Sequence, residues 1–217
     1  MLRMLAAAVL GLLAPTVAQD IINLDQLDGV TATGGPGVSE PDNGFNTVVD
    51  MIHTPTEWPN SPSGGPCECT PESALYVTVD LGDHYYVTGV TLWHYYADGR
   101  AYCAQKIALS VTGSFVGEEN VVYDTGTEYG PPESANGNAI TFPAYVARYV
   151  RHWSAGSTAN TGVHFLEIDV YGVKHSVHCQ FHVCVVCFCS TRLCTVASPI
   201  CFNVHRRPEP RTGGVRW

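Results

Sequence analysis

Charge is scarce in this sequence, and positive charge scarcest of all. Only 14% of the 217 residues are charged, and 11 Lys and Arg face 20 Asp and Glu, for a formal net charge of −9 at pH 7. Blocks rich in Lys, Glu and Leu are absent, which excludes a salt-bridged helical surface. The sign of the balance excludes a nucleic-acid partner, because phosphates need a basic face. Catalytic signatures are missing too: there is no His-Glu-x-x-His, no Gly-x-Ser-x-Gly and no phosphate-cradling glycine loop. The pair Glu118-Glu119 falls in a turn, and the nine histidines show no zinc spacing. The chain therefore reads as non-catalytic. No segment recurs at a period of roughly 20 to 50 residues, which excludes solenoids and propellers.

What is present points to export and to β structure. The chain opens Met1-Leu2-Arg3, continues from Leu5 to Leu13 with only Ala, Val, Leu and Gly, and then shows Pro15 and Thr16-Val17-Ala18. A positive start, a short apolar run and a small-residue site make a secretory signal, with cleavage expected after Ala18 and a secreted, extracellular location. The run is well short of the ~20 residues that span a bilayer. Beyond it, 21 Gly, 14 Pro and frequent aromatic and β-branched residues favour short strands joined by turns.

Composition also divides the chain. From Gln19 to Val173 there are four basic residues, Arg100, Lys106, Arg148 and Arg151; from Lys174 onward there are six, against one acid, Glu209. Six of the nine cysteines crowd between Cys179 and Cys201. The expected organisation is a signal (1–18), a body (19–173) and an irregular, Cys-rich basic tail (174–217). Within the tail, His182 to Phe202 is largely apolar, but Arg192 and Pro199 interrupt it, which argues against a membrane anchor. Cys184, Cys187 and Cys189 lack the second cluster that zinc would need. The tail reads as a disordered extension or a mis-predicted exon.

Strand signals fill the body. In Leu75 to Leu81 the positions Leu75, Val77, Val79 and Leu81 are apolar and those between are mostly polar, a period of two with one buried face. Gly82-Asp83 reads as a turn before a strand from Tyr86 to His94, with Val90 and Leu92 on one face. Ile107, Leu109 and Val111 alternate until Thr112-Gly113, and Val121 to Tyr123 is a short strand. Asp124 to Asn138 reads as a long turn region. Ala147 to Trp153 and Phe165 to Tyr171 complete the set, the last with Leu166, Ile168 and Val170 inward. About eight such strands predict an all-β sandwich or jelly roll.

Three segments carry a family resemblance. They are Val49-Asp50 leading to Thr56-Glu57-Trp58, then LYVTVDLGDHYYVTGV at 75–90, then ARYVRHW and TGVHFLEIDVYG within 147–172. Their order and spacing resemble the coagulation factor 5/8 type C, or discoidin-like, domains and the related family-32 carbohydrate-binding modules and F-type lectins. The resemblance covers residues 20–173. It implies a jelly-roll β-sandwich of the galactose-binding type, with a ligand site on loops at one end. Its members bind sugars, lipid head groups or protein partners and are rarely catalytic.

Sugars are held by charged or planar groups that fork hydrogen bonds onto hydroxyls and by aromatic rings that pack on the C–H face. The loop from His94 to Tyr102 carries both kinds, and in the resembled lectins the corresponding loop contributes to the sugar site. We expect His94, Asp98 and Arg100 as polar contacts and Tyr96 or Tyr102 as the stacking ring. The alternative is that Tyr95 and Trp93 fill the core and Arg100 is merely solvated. Arg151, His152 and Asn160, with His164 nearby, form a second candidate set, although alternation places Arg151 and Trp153 on one face and His152 on the other. Arg148 and Arg151 could equally pair with carboxylates. The full F-type spacing of His, Arg-x-Asp and a second basic residue is not reproduced, which argues against fucose specificity.

Asp50, Thr56 and Glu167 match positions that in many such modules hold a structural Ca²⁺, a hard cation suited to oxygen ligands. The alternative is that Asp50 caps a turn and Glu167 is an exposed strand residue. In an oxidising compartment Cys103 could pair with Cys67 or Cys69, leaving one body cysteine for the tail, another chain or no partner. The expectation is a secreted, lectin-like module for extracellular glycans or glycoproteins. An adhesion or matrix protein binding a protein or lipid surface, and the targeting module of a glycan-active enzyme, are the alternatives; loops offering Tyr and Asp rather than apolar spikes favour sugar over lipid.

Overall fold

The alternation that begins at Leu75 builds the strand that organises the body. The computed structural model describes residues 20–55 and 60–175, together with 188–189 and 192–193. Eight strands follow one another: β1 (Ile22–Asn23), β2 (Thr31–Gly34), β3 (Ser63–Gly64), β4 (Leu75–His94), β5 (Lys106–Ser110), β6 (Asn120–Asp124), β7 (Asn138–Ser154) and β8 (Val163–Lys174). All their pairings are antiparallel. The chain divides into one unit ending at His175 and a second beginning at Ser176. In the second unit the described residues are Phe188–Cys189 and Arg192–Leu193, a two-stranded antiparallel pair. The signal expected at 1–18 and the remaining expectations for the tail lie outside the described residues.

Register resolves the body into two layers. Leu75 to Asp80 of β4 pair with Ser154 to Tyr149 of β7, Thr78 and its neighbours pair with β2, and the same part of β7 pairs with β5, which pairs with β6. Tyr85 to His94 pair with the first half of β7 on one side and with β8 on the other, and β8 carries β1 and β3. Strands β4 and β7 thus cross from one layer to the other. Val77, Val79, Val90, Leu92, Ile107, Val150 and Ile168 fill the space between, each no more than 1% exposed. This is the all-β sandwich that the alternation predicted.

Three details differ from the reading of the sequence. Gly82-Asp83 does not separate two strands: Leu81, Gly82, Asp83 and His84 bulge opposite Arg148 alone, inside one continuous β4. Gly82 has φ +76°, open to glycine at no steric cost, and its N–H donates to Asp80 Oδ1 at 2.8 Å. Next, β7 starts at Asn138 rather than near Ala147. Pro143 argues against a strand there, but it falls between Thr141 and Tyr145, where the ladder to β4 shifts register and no second neighbour pairs. Finally, Val111 is 39% exposed, because β5 ends at Ser110 and the Val111 N–H turns to Glu118 Oε2.

Ile168 is enclosed by the core, so Ile168→Ala should lower the unfolding free energy by about 2–5 kcal/mol. A urea titration should show an earlier midpoint at unchanged slope.

Candidate functional site

Four loops meet at the end of the sandwich where β4 finishes and β8 begins. Backbone hydrogen bonds lace them. Thr158 donates to Ala101 O at 2.9 Å and Ala101 donates back to Thr158 Oγ1; Gly130 donates to Tyr102 O, and Glu133 to Arg100 O at 2.8 Å. Cys67 donates to Thr161 O at 2.8 Å. A disulfide joins Cys69 to Cys103, and Cys67 stays a buried free thiol. Gly156 marks the closest approach, since a Cβ there would stand 2.7 Å from the Cys67 carbonyl oxygen. So many cross-links give the loop end a fixed shape before any ligand arrives.

Several expected contact residues form the floor beneath this surface. His94 is fully enclosed: its Nδ1 lies 2.9 Å from Glu133 Oε1, and Glu133 Oε2 accepts from Asn138 Nδ2 at 2.9 Å. The His94 ring stacks on Tyr102 at 4.4 Å and meets His152 at 4.9 Å, with Phe165 against both histidines. Tyr102 and His152 are equally buried, so none of the three faces a ligand; the Glu133 carboxylate and the aromatic packing draw them inward. Burial pushes the Tyr102 hydroxyl up, and burial with His94 as neighbour holds His152 well below the ordinary histidine range.

Arg100 is only 8% exposed. Its Nε and Nη2 grip Asp98 at 2.8 and 2.6 Å, which holds the Asp98 carboxyl below its usual range, and its guanidinium lies 4.7 Å over Tyr95. Asp98 itself is exposed. Tyr96 is half-buried, its hydroxyl donating to His53 O at 2.9 Å. Asn160 is exposed, and its Oδ1 takes the Gly162 N–H at 2.9 Å. His164 borders the same glycine and meets Tyr95 edge-on at 6.0 Å. Arg151 does not join His152 and Asn160: it stands over Trp153 on the outer face of β7 while His152 enters the core, as alternation requires.

A second cluster lies on β8. Asp25, from the 3-10 helix Leu24–Gln26, joins Glu167 and Asp169, with ligand oxygens all within 4.8 Å of one another. All three residues are buried, Glu167 completely. In each, one oxygen is tied: Asp25 Oδ1 accepts the Val170 N–H, Glu167 Oε1 the Met51 N–H and Asp169 Oδ2 the Tyr171 hydroxyl. Among the described residues the other three, Asp25 Oδ2, Glu167 Oε2 and Asp169 Oδ1, accept no hydrogen bond, although Asp169 Oδ1 faces His53 Nε2 at 3.6 Å. Burial above all, with neighbouring carboxylates adding to it, pushes Asp25 up to about 8 and Glu167 up to about 9. Three convergent hard oxygens fit a divalent cation such as Ca²⁺. Of the expected ligands, Glu167 stands at the centre rather than exposed, since Met51 and its neighbours cover this face. Asp50 is exposed, caps the Ile52 N–H at 2.9 Å and lies outside the trio, although its charge helps raise Glu167. Thr56 is outside the described residues.

No protein-family model and no curated protein matches the chain, but solved structures do. The family-32 module of AlyQ, in complex with 4,5-unsaturated mannuronic acid, is 20% identical over 67% of this chain and 95% of that one, with a TM-score of 0.50. The family-32 module of NanJ from C. perfringens, in complex with galactose, is 13% identical over 70% and 99%, with a TM-score of 0.52. A family 89 glycoside hydrolase from Clostridium perfringens is matched over 71% of this chain but 15% of its own, at 19% identity and a TM-score of 0.54. The fold is that of the family-32 carbohydrate-binding modules.

Within that fold, the residues missed by reading the sequence are Tyr95 at the loop surface, Glu133 beneath it, and Asp25 and Asp169 beside Glu167; His164, expected near Asn160, lies beside Tyr95. Parity carried the signal for Asp169, two residues from Glu167 on one strand face. Nothing local marks Asp25, which reaches Glu167 only through the fold.

His152 supplies a pH test. Its folded pKa is depressed, so below about 6.5 the unfolded chain takes up a proton that the folded core refuses. Its stabilising contribution is therefore complete above that value and lost as pH falls. Chemical denaturation from pH 7.5 to 5 should show wild type losing roughly 1.4 kcal/mol per pH unit more than His152→Phe in the acid part of the range.

Proposed function

We propose that the body is a secreted, lectin-like carbohydrate-binding module related to the discoidin-like domains, with its glycan seat on the laced loop end. One observation carries the reading: a rigid end bearing the half-buried ring of Tyr95 between Arg100 and His164, with the exposed Asp98 and Asn160 beside them. A ring offers its face to the C–H side of a pyranose, and a carboxylate fixed by Arg100, an amide and an imidazole offer directed hydrogen bonds to hydroxyls. Export follows from the amino-terminal signal pattern and agrees with the Cys69–Cys103 disulfide. The partners are extracellular glycans or glycoproteins, and the module binds rather than catalyses. The 15% share matched in a glycoside hydrolase supports a second reading, that of a targeting module for a glycan-active enzyme.

Asp25, Glu167 and Asp169 would hold the structural Ca²⁺, which would neutralise their crowded charge and pin the amino-terminal segment to β8. The residues of the chain then act by position: Glu167 fixes the Met51 backbone, and Asp169 orients Tyr171.

A glycan array probed with the protein should show selective binding, and Asn160→Ala or His164→Ala should weaken the best ligand by about tenfold each; an array without binders would sink the reading. Ca²⁺ at a hundredfold excess over its Kd should raise the melting temperature by roughly 5–10 °C. Glu167→Gln should abolish that rise, and an equal rise in the variant would remove Glu167 from the site.

A further inference from the structure

Among the described residues, two positive charges of the body form no ion pair, and they lie together. Arg100, Arg148 and Lys174 pair with Asp98, Asp80 and Asp83 at 2.6, 2.7 and 3.4 Å; among the described residues Lys106 and Arg151 form no ion pair. Trp153 of β7 lies in register with Tyr76 of β4 on one side and Lys106 of β5 on the other, and Arg151 lies between Thr78 and Ala108. The intervening residues Val77, His152 and Ile107 are buried in the core, so Tyr76, Arg151, Trp153 and Lys106 share the outer face of the layer.

The arrangement fixes the cations without neutralising them. Lys106 Nζ rests 4.1 Å over the Trp153 ring. The Arg151 guanidinium lies 4.2 Å from the Tyr76 ring and 4.0 Å from that of Phe115, and its Nε donates to Thr78 Oγ1 at 2.8 Å. That bond sets the plane of the fork and leaves the two Nη groups for a ligand. Two neighbouring acids form no ion pair with them. Asp124, opposite Lys106 on β6, takes the Gly126 N–H at 2.7 Å, and Glu118 is held by Ser110, Thr112 and the Val111 N–H.

We propose that this face is a second binding site, distinct from the loop end, for the carboxylate or sulfate groups of an acidic polysaccharide. A planar guanidinium of fixed orientation matches a two-oxygen anion bidentately, and an ammonium on the neighbouring strand adds a point charge for the next anionic group. The partly exposed rings of Trp153 and Tyr76 beside them suit the apolar faces of sugar rings better than the mobile side chains of an acidic peptide, while Phe115, itself buried, backs the guanidinium. On a chain of net charge −9, a polyanion is repelled from most of the surface and drawn to this patch. The anion chemistry stands on these contacts alone; only the saccharide as its source rests on the proposed function.

Calorimetric titration of the full chain with a sulfated glycosaminoglycan and with a polyuronate, at low and raised salt, tests the site. Binding should weaken with salt. K106Q/R151Q should lose about tenfold or more in affinity, and Arg151→Lys, which keeps the charge and loses the fork, should lose most of that. Lys106→Gln removes a half-buried ammonium that forms no ion pair and guards against a folding artefact, and a nearly unchanged melting temperature should accompany its weaker binding. Undiminished binding by K106Q/R151Q, or no binding of either polysaccharide by wild type, would overturn the proposal, and so would poly-glutamate bound as tightly. Acidic-polysaccharide binding that survives Asn160→Ala, in a protein with no neutral-glycan ligand, would uphold this site while refuting the loop-end one.

Discussion

The constraint on which the rest of this domain depends is that β4 changes layers without ending. Its first half has β2 and β7 as neighbours and its second half β7 and β8, so a single strand is central to both sheets. The bulge from Leu81 to His84 makes that possible. It bends the backbone while Leu81 and Tyr85, on either side, stay buried. Two sheets joined by continuous strands cannot slide over one another as freely as two separate sheets could, and the core between them inherits a defined register.

From that strand the loop end takes its position. β4 delivers His94 to the edge of the core, where Glu133 fastens it, and Glu133 in turn ties the loop after β6 to the loop after β4 through the Arg100 carbonyl. Asn138 completes the set on the carboxylate side, whereas the far nitrogen of His94, Nε2, has no hydrogen-bond partner among the described residues and is enclosed by the neighbouring rings. The polar network thus lies beneath the surface, with Asp98 and Asn160 exposed above it and Tyr95 and His164 half-buried beside them.

Much of the architecture was legible from parity, and the failures are instructive. Leu75 to Leu81 announced its buried face correctly, and Arg151, His152 and Trp153 obeyed the same rule. The parity that places Val90 and Leu92 inward also carries to His94, yet residue chemistry drew attention to its polar ring instead. Pro143 concealed the first half of β7, because proline is tolerated on an edge whose N–H has no partner. Spacing left Cys103 with two possible mates, and only the folded loops select Cys69. The acid cluster was half visible: Glu167 stood out by family likeness, whereas Asp25 is brought to it by β1 pairing with the far end of β8.

That last pairing has a mechanical side. Ile22 sits opposite Gly172, so the two ends of the sandwich leave it next to one another, and β8 separates them from the loop end by roughly 30 Å of strand. The backbone thus enters and leaves the sandwich side by side, at the end of β8 farthest from the loop end, so a pull on either strand there is shared across one ladder before it reaches the loops.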